Sequence, residues 1–76
     1  DVSIHNFSSG VLLAATMQVI AATPHCSWLE YDSSTNAVYH DFLIEPLKIK
    51  NGAVQIPDLT GLGVELKPEI IKKYKV

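Results

Sequence analysis

The chain has 76 residues, a formal net charge of −2 at pH 7 and a single cysteine, Cys26, so it can form no internal disulfide. A chain of this length buries only about 60% of its unfolded surface and is expected to be marginally stable on its own. Arginine is absent and the lysines are not interleaved with aromatic residues, which argues against a nucleic-acid partner. The apolar run from Val11 to Ala22 is shorter than the roughly 20 residues of a membrane span, so no membrane partner is expected.

Charged residues are distributed unevenly along the chain. No Asp, Glu, Lys or Arg lies between Asp1 and Glu30, whereas all six lysines lie from Lys48 onward. A soluble protein needs charge across its exterior, so residues 2–29 are expected to form the interior of something larger. The chain is therefore predicted to be incomplete and to need a longer companion chain or an N-terminal portion of the same protein. A soluble, cytoplasmic setting fits the single free cysteine.

The first elements predicted are a strand and a helix. Val2 to His5 alternates apolar and polar residues, which predicts a strand with Ser3 and His5 on one face. Ser8 or Ser9 then provides an N-cap for a helix over Val11 to Thr23, which Pro24 ends. This helix is apolar around almost its whole circumference, so it is expected to lie between neighbouring elements on several sides.

A second strand is predicted from Ser27 to Asp32, with Trp28 and Glu30 on the same face. Strand, helix and strand form a βαβ unit, which is typical of parallel α/β sheets and barrels covered by helices. The polar residues 33–36 that follow are predicted to form a loop.

The remainder of the chain predicts a hairpin and a short terminal helix. Residues 47–56 read as two short strands joined at Asn51-Gly52, which is a strong signal for a tight hairpin turn. Pro68 stands at the first position of a predicted helix over Glu69 to Tyr74, whose last turn is basic.

Three residues are candidates for a functional site on chemical grounds. His5 ends the first strand and Glu30 lies in the second, where an imidazole and a carboxylate could perform acid-base chemistry. On the residues alone, a non-catalytic histidine and a solvated glutamate at a strand end are the commoner cases. Asn6 could contact a substrate hydroxyl or cap the helix. His25, Cys26 and His40 lack the spacing of zinc ligands.

Ser3-Ile4-His5-Asn6-Phe7, an alanine-rich helix ending Ala21-Ala22-Thr23-Pro24, and Trp28-Leu29-Glu30 occur here in that order. This order resembles the seventh strand, seventh helix and eighth strand of mandelate racemase-type members of the enolase superfamily. Four later segments resemble the C-terminal tail of that family, namely Glu45-Pro46-Leu47, Asn51-Gly52, Ile56-Pro57-Asp58-Leu59 and Gly61-Leu62-Gly63-Val64. A departure is Thr60, where relatives often carry proline.

The resemblance implies an α/β fold, the C-terminal portion of a modified TIM barrel, (β/α)7β. Residues 1–32 would end the barrel domain, and residues 33–76 would form a hairpin-containing tail that returns to an N-terminal capping domain. It also implies Mg²⁺ as cofactor, with carboxylate ligands on the third, fourth and fifth strands and therefore no metal ligand in this chain. An aspartate on the sixth strand would pair with the histidine, and homo-oligomers are common in the family.

The resemblance further implies removal of the proton next to a substrate carboxylate. His5 would be the general base, or the acid for a departing hydroxyl, and Glu30 would hydrogen-bond the substrate carboxylate as an enediolate forms. A sugar-acid dehydratase is the first expectation, and Asn6 is a candidate substrate contact. Alternatives are a racemase or epimerase, a cycloisomerase of the muconate-lactonizing subgroup, whose members typically lack a histidine at this place, and a non-catalytic piece that completes the barrel of a partner. The chain alone is expected to be inactive.

Overall fold

The computed structural model describes residues 1–76, and its seven elements are short. In chain order they are β1 (Ser3–Ile4), α1 (Gly10–Ala22), β2 (Trp28–Leu29), α2 (Ala37–His40), β3 (Ile49–Lys50), β4 (Ala53–Val54) and α3 (Pro68–Tyr74). None of the helices has the length and apolar character needed to cross a membrane.

The predicted βαβ unit is confirmed, with β1 and β2 paired in parallel. Ser3 lies opposite Trp28 and Ile4 lies opposite Leu29. Both strands are shorter than the sequence pattern predicts. Each has only the other as a neighbour, and a two-stranded sheet has little support against fraying at its ends.

Helix α1 connects these two strands and has a clear start and end. Ser9 is the N-cap, since its side chain accepts a hydrogen bond from the Leu12 backbone N–H at 3.2 Å. The helix begins one residue earlier than predicted, at Gly10, and ends at Ala22. Its C-cap is Thr23, whose hydroxyl donates to the Val19 carbonyl at 2.6 Å. Pro24 follows and cannot donate the next helical hydrogen bond.

The core lies between one face of α1 and the segments on either side of β2. Its buried apolar residues are Leu13, Ala14, Met17, Cys26, Tyr39 and Leu43. The opposite face of α1 is open, since Leu12 and Val19 are exposed. The helix therefore buries one face only within this chain, although apolar residues surround it on nearly every side.

Helix α2 was not predicted, and it is the element that packs most closely on α1. Asn36 caps it by accepting a hydrogen bond from the Val38 N–H at 3.2 Å. The close approach needs a glycine at position 10, because a Cβ there would lie 2.8 Å from the Tyr39 carbonyl oxygen. The start of α1 and the end of α2 are thereby held in backbone contact.

The hairpin and the terminal helix are confirmed. Strands β3 and β4 pair antiparallel, and Asn51 and Gly52 both have positive φ angles, 54° and 72°, as a tight primed turn requires. Helix α3 begins at Pro68. The Lys67 N–H donates to the Phe42 carbonyl at 2.8 Å, which connects the start of α3 to the residues that follow α2.

Candidate functional site

The parallel register of β1 and β2 brings His5 and Glu30 side by side. Ile4 lies opposite Leu29, so the next residue of each strand emerges at the same, carboxyl, end of the pair. His5 Nδ1 lies 2.9 Å from Glu30 Oε2. The side chains are 83% and 44% exposed, respectively, so both are open to a ligand approaching this end of the strands.

One oxygen of Glu30 is held and the other is free. Oε2 accepts a hydrogen bond from the Asn6 backbone N–H at 3.1 Å in addition to its contact with His5. No hydrogen bond within the chain engages Oε1. The carboxyl group is therefore anchored through one oxygen, and the other has no partner within this chain and is available to a ligand.

The tautomer of His5 follows from the same contact. A carboxyl oxygen without a proton of its own can only accept hydrogen bonds, so the proton of a neutral His5 ring lies on Nδ1, facing Glu30 Oε2. Nε2 is then the free ring nitrogen with a lone pair. It can accept a proton from a ligand, and after protonation it can return one.

Asn6 and Tyr39 form a buried layer beneath the pair. Asn6 is 1% exposed and Tyr39 is 3% exposed. Asn6 Nδ2 donates to the Glu30 carbonyl oxygen at 3.4 Å and to the Tyr39 hydroxyl at 3.3 Å. The Tyr39 hydroxyl donates to the same Glu30 carbonyl at 3.4 Å. Burial raises the pKa of Tyr39 above its ordinary value of 10.0, so the phenol is a hydrogen-bond donor at neutral pH.

A second set of contacts supports the segment that carries Tyr39. His40 Nε2 lies 2.8 Å from the Ser34 carbonyl, which can only accept, so Nε2 carries a proton. In the neutral ring the Tyr31 hydroxyl then donates to Nδ1, at 3.2 Å. Hydrogen bonds from the side chain and then the backbone N–H of Ser34 lower the pKa of Asp32. The turn leading into α2 is thus fixed by its own polar groups.

The three residues predicted from the sequence lie together, in two layers. His5 and Glu30 form the open layer, and Asn6 lies in the buried one. The helix-capping alternative for Asn6 is wrong, because Ser9 caps α1. Tyr39 was missed by sequence reasoning. The one available signal was a tyrosine in an apolar segment, since a buried phenol usually needs a hydrogen-bond partner.

No metal site forms within these 76 residues. Three or more His, Cys, Asp or Glu side chains do not come close enough together to hold an ion. The pair of His5 and Glu30 lacks further carboxylates, and the oxygen-rich ligand set that Mg²⁺ prefers is not assembled by this chain alone.

Comparison with known proteins identifies the family of this chain. Residues 1–70 match the family described as enolase C-terminal domain-like. The chain belongs to this family, and thus to the C-terminal region of the enolase superfamily, whose fold is an α/β barrel of the TIM type. The observed parallel βαβ unit, with polar side chains at the carboxyl ends of its strands, fits such a barrel.

Three relatives with assigned activities match almost the whole chain. D-xylonate dehydratase of Haloferax volcanii is 36% identical over 75 residues, which are 99% of this chain and 18% of that protein. D-galactarolactone cycloisomerase of Agrobacterium fabrum is 32% identical, over 95% of this chain and 21% of that protein. Arabinonate dehydratase of Saccharolobus solfataricus is 28% identical, over 93% and 19%. The chain thus spans about a fifth of the length of these relatives. No solved structure matches it significantly.

Proposed function

We propose that this chain is the C-terminal part of a sugar-acid dehydratase of the enolase superfamily. The observation that carries the proposal is the contact of His5 Nδ1 with Glu30 Oε2 at the carboxyl ends of two adjacent parallel strands. Active sites of TIM barrels lie at that end of the strands. Two of the three relatives are named as dehydratases of sugar acids, which supports the choice of reaction.

In this proposal β1, α1 and β2 are the seventh strand, seventh helix and eighth strand of a (β/α)7β barrel. Residues 33–76 are the tail that returns to an N-terminal capping domain. The remaining strands are supplied by a longer companion chain or by an N-terminal portion of the same protein, and the complete enzyme assembles as a homo-oligomer. Mg²⁺ is the cofactor of the complete enzyme, and its ligands lie outside this chain.

The two site residues have distinct roles in the proposed dehydration of a carboxylate-bearing substrate. A base outside this chain removes the proton at Cα, and the electron pair is delocalised onto the substrate carboxylate as an enediolate. A proton on the free Oε1 of Glu30 donates a hydrogen bond to that carboxylate, and this bond strengthens as negative charge develops. The pair then returns to form a Cα–Cβ double bond, while the β-hydroxyl takes a proton from His5 Nε2 and leaves as water.

Nδ1 of protonated His5 donates to Glu30 Oε2, and by the resemblance the carboxylate of an aspartate on the sixth strand would lie beside this histidine and stabilise its charge. Nδ1 carries a single proton, so donation to Glu30 and donation to that aspartate are alternative states. Either state leaves Nε2 directed at the substrate. Asn6 is also a candidate substrate contact through its Oδ1, which has no hydrogen-bond partner within this chain while Nδ2 holds Glu30 and Tyr39.

A second candidate is a cycloisomerase or an epimerase built on the same residues. The observation in its favour is the 32% identity to D-galactarolactone cycloisomerase. In an epimerase a base removes the proton at the substrate carbon and His5 Nε2 returns one to that carbon from the opposite face. In a lactone cycloisomerase loss of that proton is accompanied by cleavage of the ring C–O bond, and return of a proton to carbon gives a product of unchanged mass. A third candidate is a non-catalytic piece that completes a partner's barrel. This candidate assigns no role to the exposed pair of His5 and Glu30.

Native mass spectrometry of the source material first identifies the complete protein that contains this chain, which is then purified. The purified protein is incubated with Mg²⁺ and a panel of sugar acids, and the products are analysed by mass spectrometry for loss of water. We expect dehydration to fall about 100- to 10,000-fold for His5→Asn and about 100- to 1,000-fold for Glu30→Gln.

His25→Asn is the matched control, because His25 is exposed, lies away from the pair and has a φ of 58°, which asparagine adopts readily. Full activity in Glu30→Gln or His5→Asn would contradict the assigned roles. Isomerised product of unchanged mass would favour the second candidate. A lone, folded 76-residue species without any partner would overturn the enzymatic proposal.

A further inference from the structure

The backbone carbonyl of Glu30 is one corner of a closed triangle of hydrogen bonds, whose other corners are Asn6 Nδ2 and the Tyr39 hydroxyl. Asn6 Nδ2 and the Tyr39 hydroxyl each donate to it at 3.4 Å, and these two donors are themselves joined at 3.3 Å. Each contact is long, so each is individually weak. The two donor residues, Asn6 and Tyr39, are buried, so water competes little for their polar groups and the network can act as a unit.

Tyr39 is the member of this triangle that comes from outside the βαβ unit. It lies 33 residues after Asn6 and belongs to α2, which is placed by the Asn36 cap and by close backbone contact with Gly10. One phenolic hydroxyl therefore connects the segment after β2 to the strand end that carries the open carboxylate. The Tyr39 ring also packs edge-on against Tyr31, with centroids 5.4 Å apart, so the phenol has a fixed direction.

We propose that Tyr39 is a positioning residue, which with Asn6 holds the backbone at Glu30 so that Oε2 stays on its two donors and Oε1 faces the substrate. The inference rests on the proposed function, in which Glu30 contacts a developing enediolate. The backbone of a residue that follows a strand lies beyond the last hydrogen bond of the ladder, so it can move unless other groups hold it. A displacement of about 1 Å at such a group can cost on the order of 100-fold in rate.

The chemical requirement is for a hydroxyl and not only for an aromatic ring. In Tyr39→Phe the ring can still fill the core and contact Tyr31, and Asn6 Nδ2 can still reach the Glu30 carbonyl. The variant removes one donor to that carbonyl and the acceptor of the second Asn6 Nδ2 proton. The fold is therefore expected to persist, while the direction of the Glu30 side chain becomes less restricted.

The test compares Tyr39→Phe with Tyr74→Phe in the complete Mg²⁺-loaded enzyme. Tyr74→Phe is the matched control, since Tyr74 is exposed, lies in α3 and makes no hydrogen bond through its hydroxyl. We expect Tyr39→Phe to lower kcat about 10- to 100-fold with little change in KM, and to displace a limb of the kcat pH profile. Tyr74→Phe is expected to keep the parent kcat and profile. Both variants are assayed at temperatures well below their unfolding midpoints.

A merely structural role for Tyr39 would lower the unfolding midpoint and leave the pH profile of kcat unchanged, and that result would overturn the inference. Asn6→Ser is a second variant, in case Tyr39→Phe folds poorly. It removes another corner of the triangle, and the same displaced limb is expected. Loss of activity in Glu30→Gln, together with a parent-like Tyr39→Phe and Asn6→Ser, would refute this inference alone. Full activity in Glu30→Gln would refute the proposed function beneath it.

Discussion

Asn6 has one atom that this chain does not satisfy. Its Oδ1 is buried and accepts no hydrogen bond, although its Nδ2 donates two. A buried polar atom left without a partner costs about 1–3 kcal/mol. A residue that carries such a cost beside the exposed pair of His5 and Glu30 is typical of a functional site, where a fixed position is kept at the expense of stability. A donor from a neighbouring strand of a complete barrel would remove this cost.

Tyr39 predicts a stability change at alkaline pH. Burial raises its pKa, so the folded protein holds the phenolic proton more tightly than the unfolded chain does. The stabilisation from the neutral phenol is complete below the ordinary pKa of 10.0 and is lost as the pH rises through the higher pKa of the folded state. The urea unfolding midpoint of the complete protein should therefore fall more steeply above pH 10.0 than that of Tyr39→Phe, which has no proton to lose. Parallel curves for the two proteins would contradict this expectation.

At the scale of elements, helices and turns with local signals were predictable from the sequence. The Ser9 cap, the stop at Pro24, the Asn51-Gly52 turn and Pro68 at the start of α3 all act within a few residues, and each is confirmed. Helix α2 lacked such a signal. It is four residues long, two of its residues are Val38 and Tyr39, which have modest helix propensity, and its cap lies in a polar stretch that reads as a loop.

The site was predictable in part for the same reason. The sequence pattern and the βαβ rule supply two parallel strands, but the pattern places Glu30 within the second strand. The family resemblance is what indicates that His5 and Glu30 both lie at strand ends. The contact of Tyr39 with Asn6 and Glu30 depends on how α2 packs on α1, which is a tertiary arrangement without a local sequence signature.

The close packing of α1 and α2 predicts an unusual effect of Gly10→Ala. Alanine ordinarily favours a helix over glycine, yet here its Cβ would lie 2.8 Å from the Tyr39 carbonyl and 3.1 Å from Leu43 Cδ1. Such overpacking typically costs about 1–3 kcal/mol, so the variant should unfold at lower urea concentration. Because α2 must move, kcat of the complete enzyme should fall as well.

The neighbouring position supplies the control for this substitution. Val11 is partly exposed and lies outside the contact with α2, so Val11→Ala should change both the urea midpoint and kcat only slightly. A Gly10→Ala variant as stable as Val11→Ala would show that α2 is not held against α1 in the way described.

At the scale of the whole molecule, the chain leaves much apolar surface uncovered. Only nine of its 76 residues are buried. Trp28, which begins β2, is 75% exposed, and Phe7, which follows β1, is 65% exposed. These residues fall within the uncharged stretch 2–29, which the sequence pattern assigns to an interior. Exposed apolar side chains in such a stretch are expected to be covered by the remainder of the protein.

This exposure predicts that the isolated 76-residue chain unfolds without a sharp transition and gains structure from the remainder of the protein. Trp28 is the only tryptophan of the chain, so 5-fluorotryptophan incorporated into this chain alone reports on a single exposed site. On addition of a separately expressed companion portion, the fluorine resonance should move from its water-exposed position. The urea transition should become steeper, because the complex exposes more surface on unfolding. An unchanged resonance, together with a steep transition in the chain alone, would mean that the uncharged half is stable without a barrel around it.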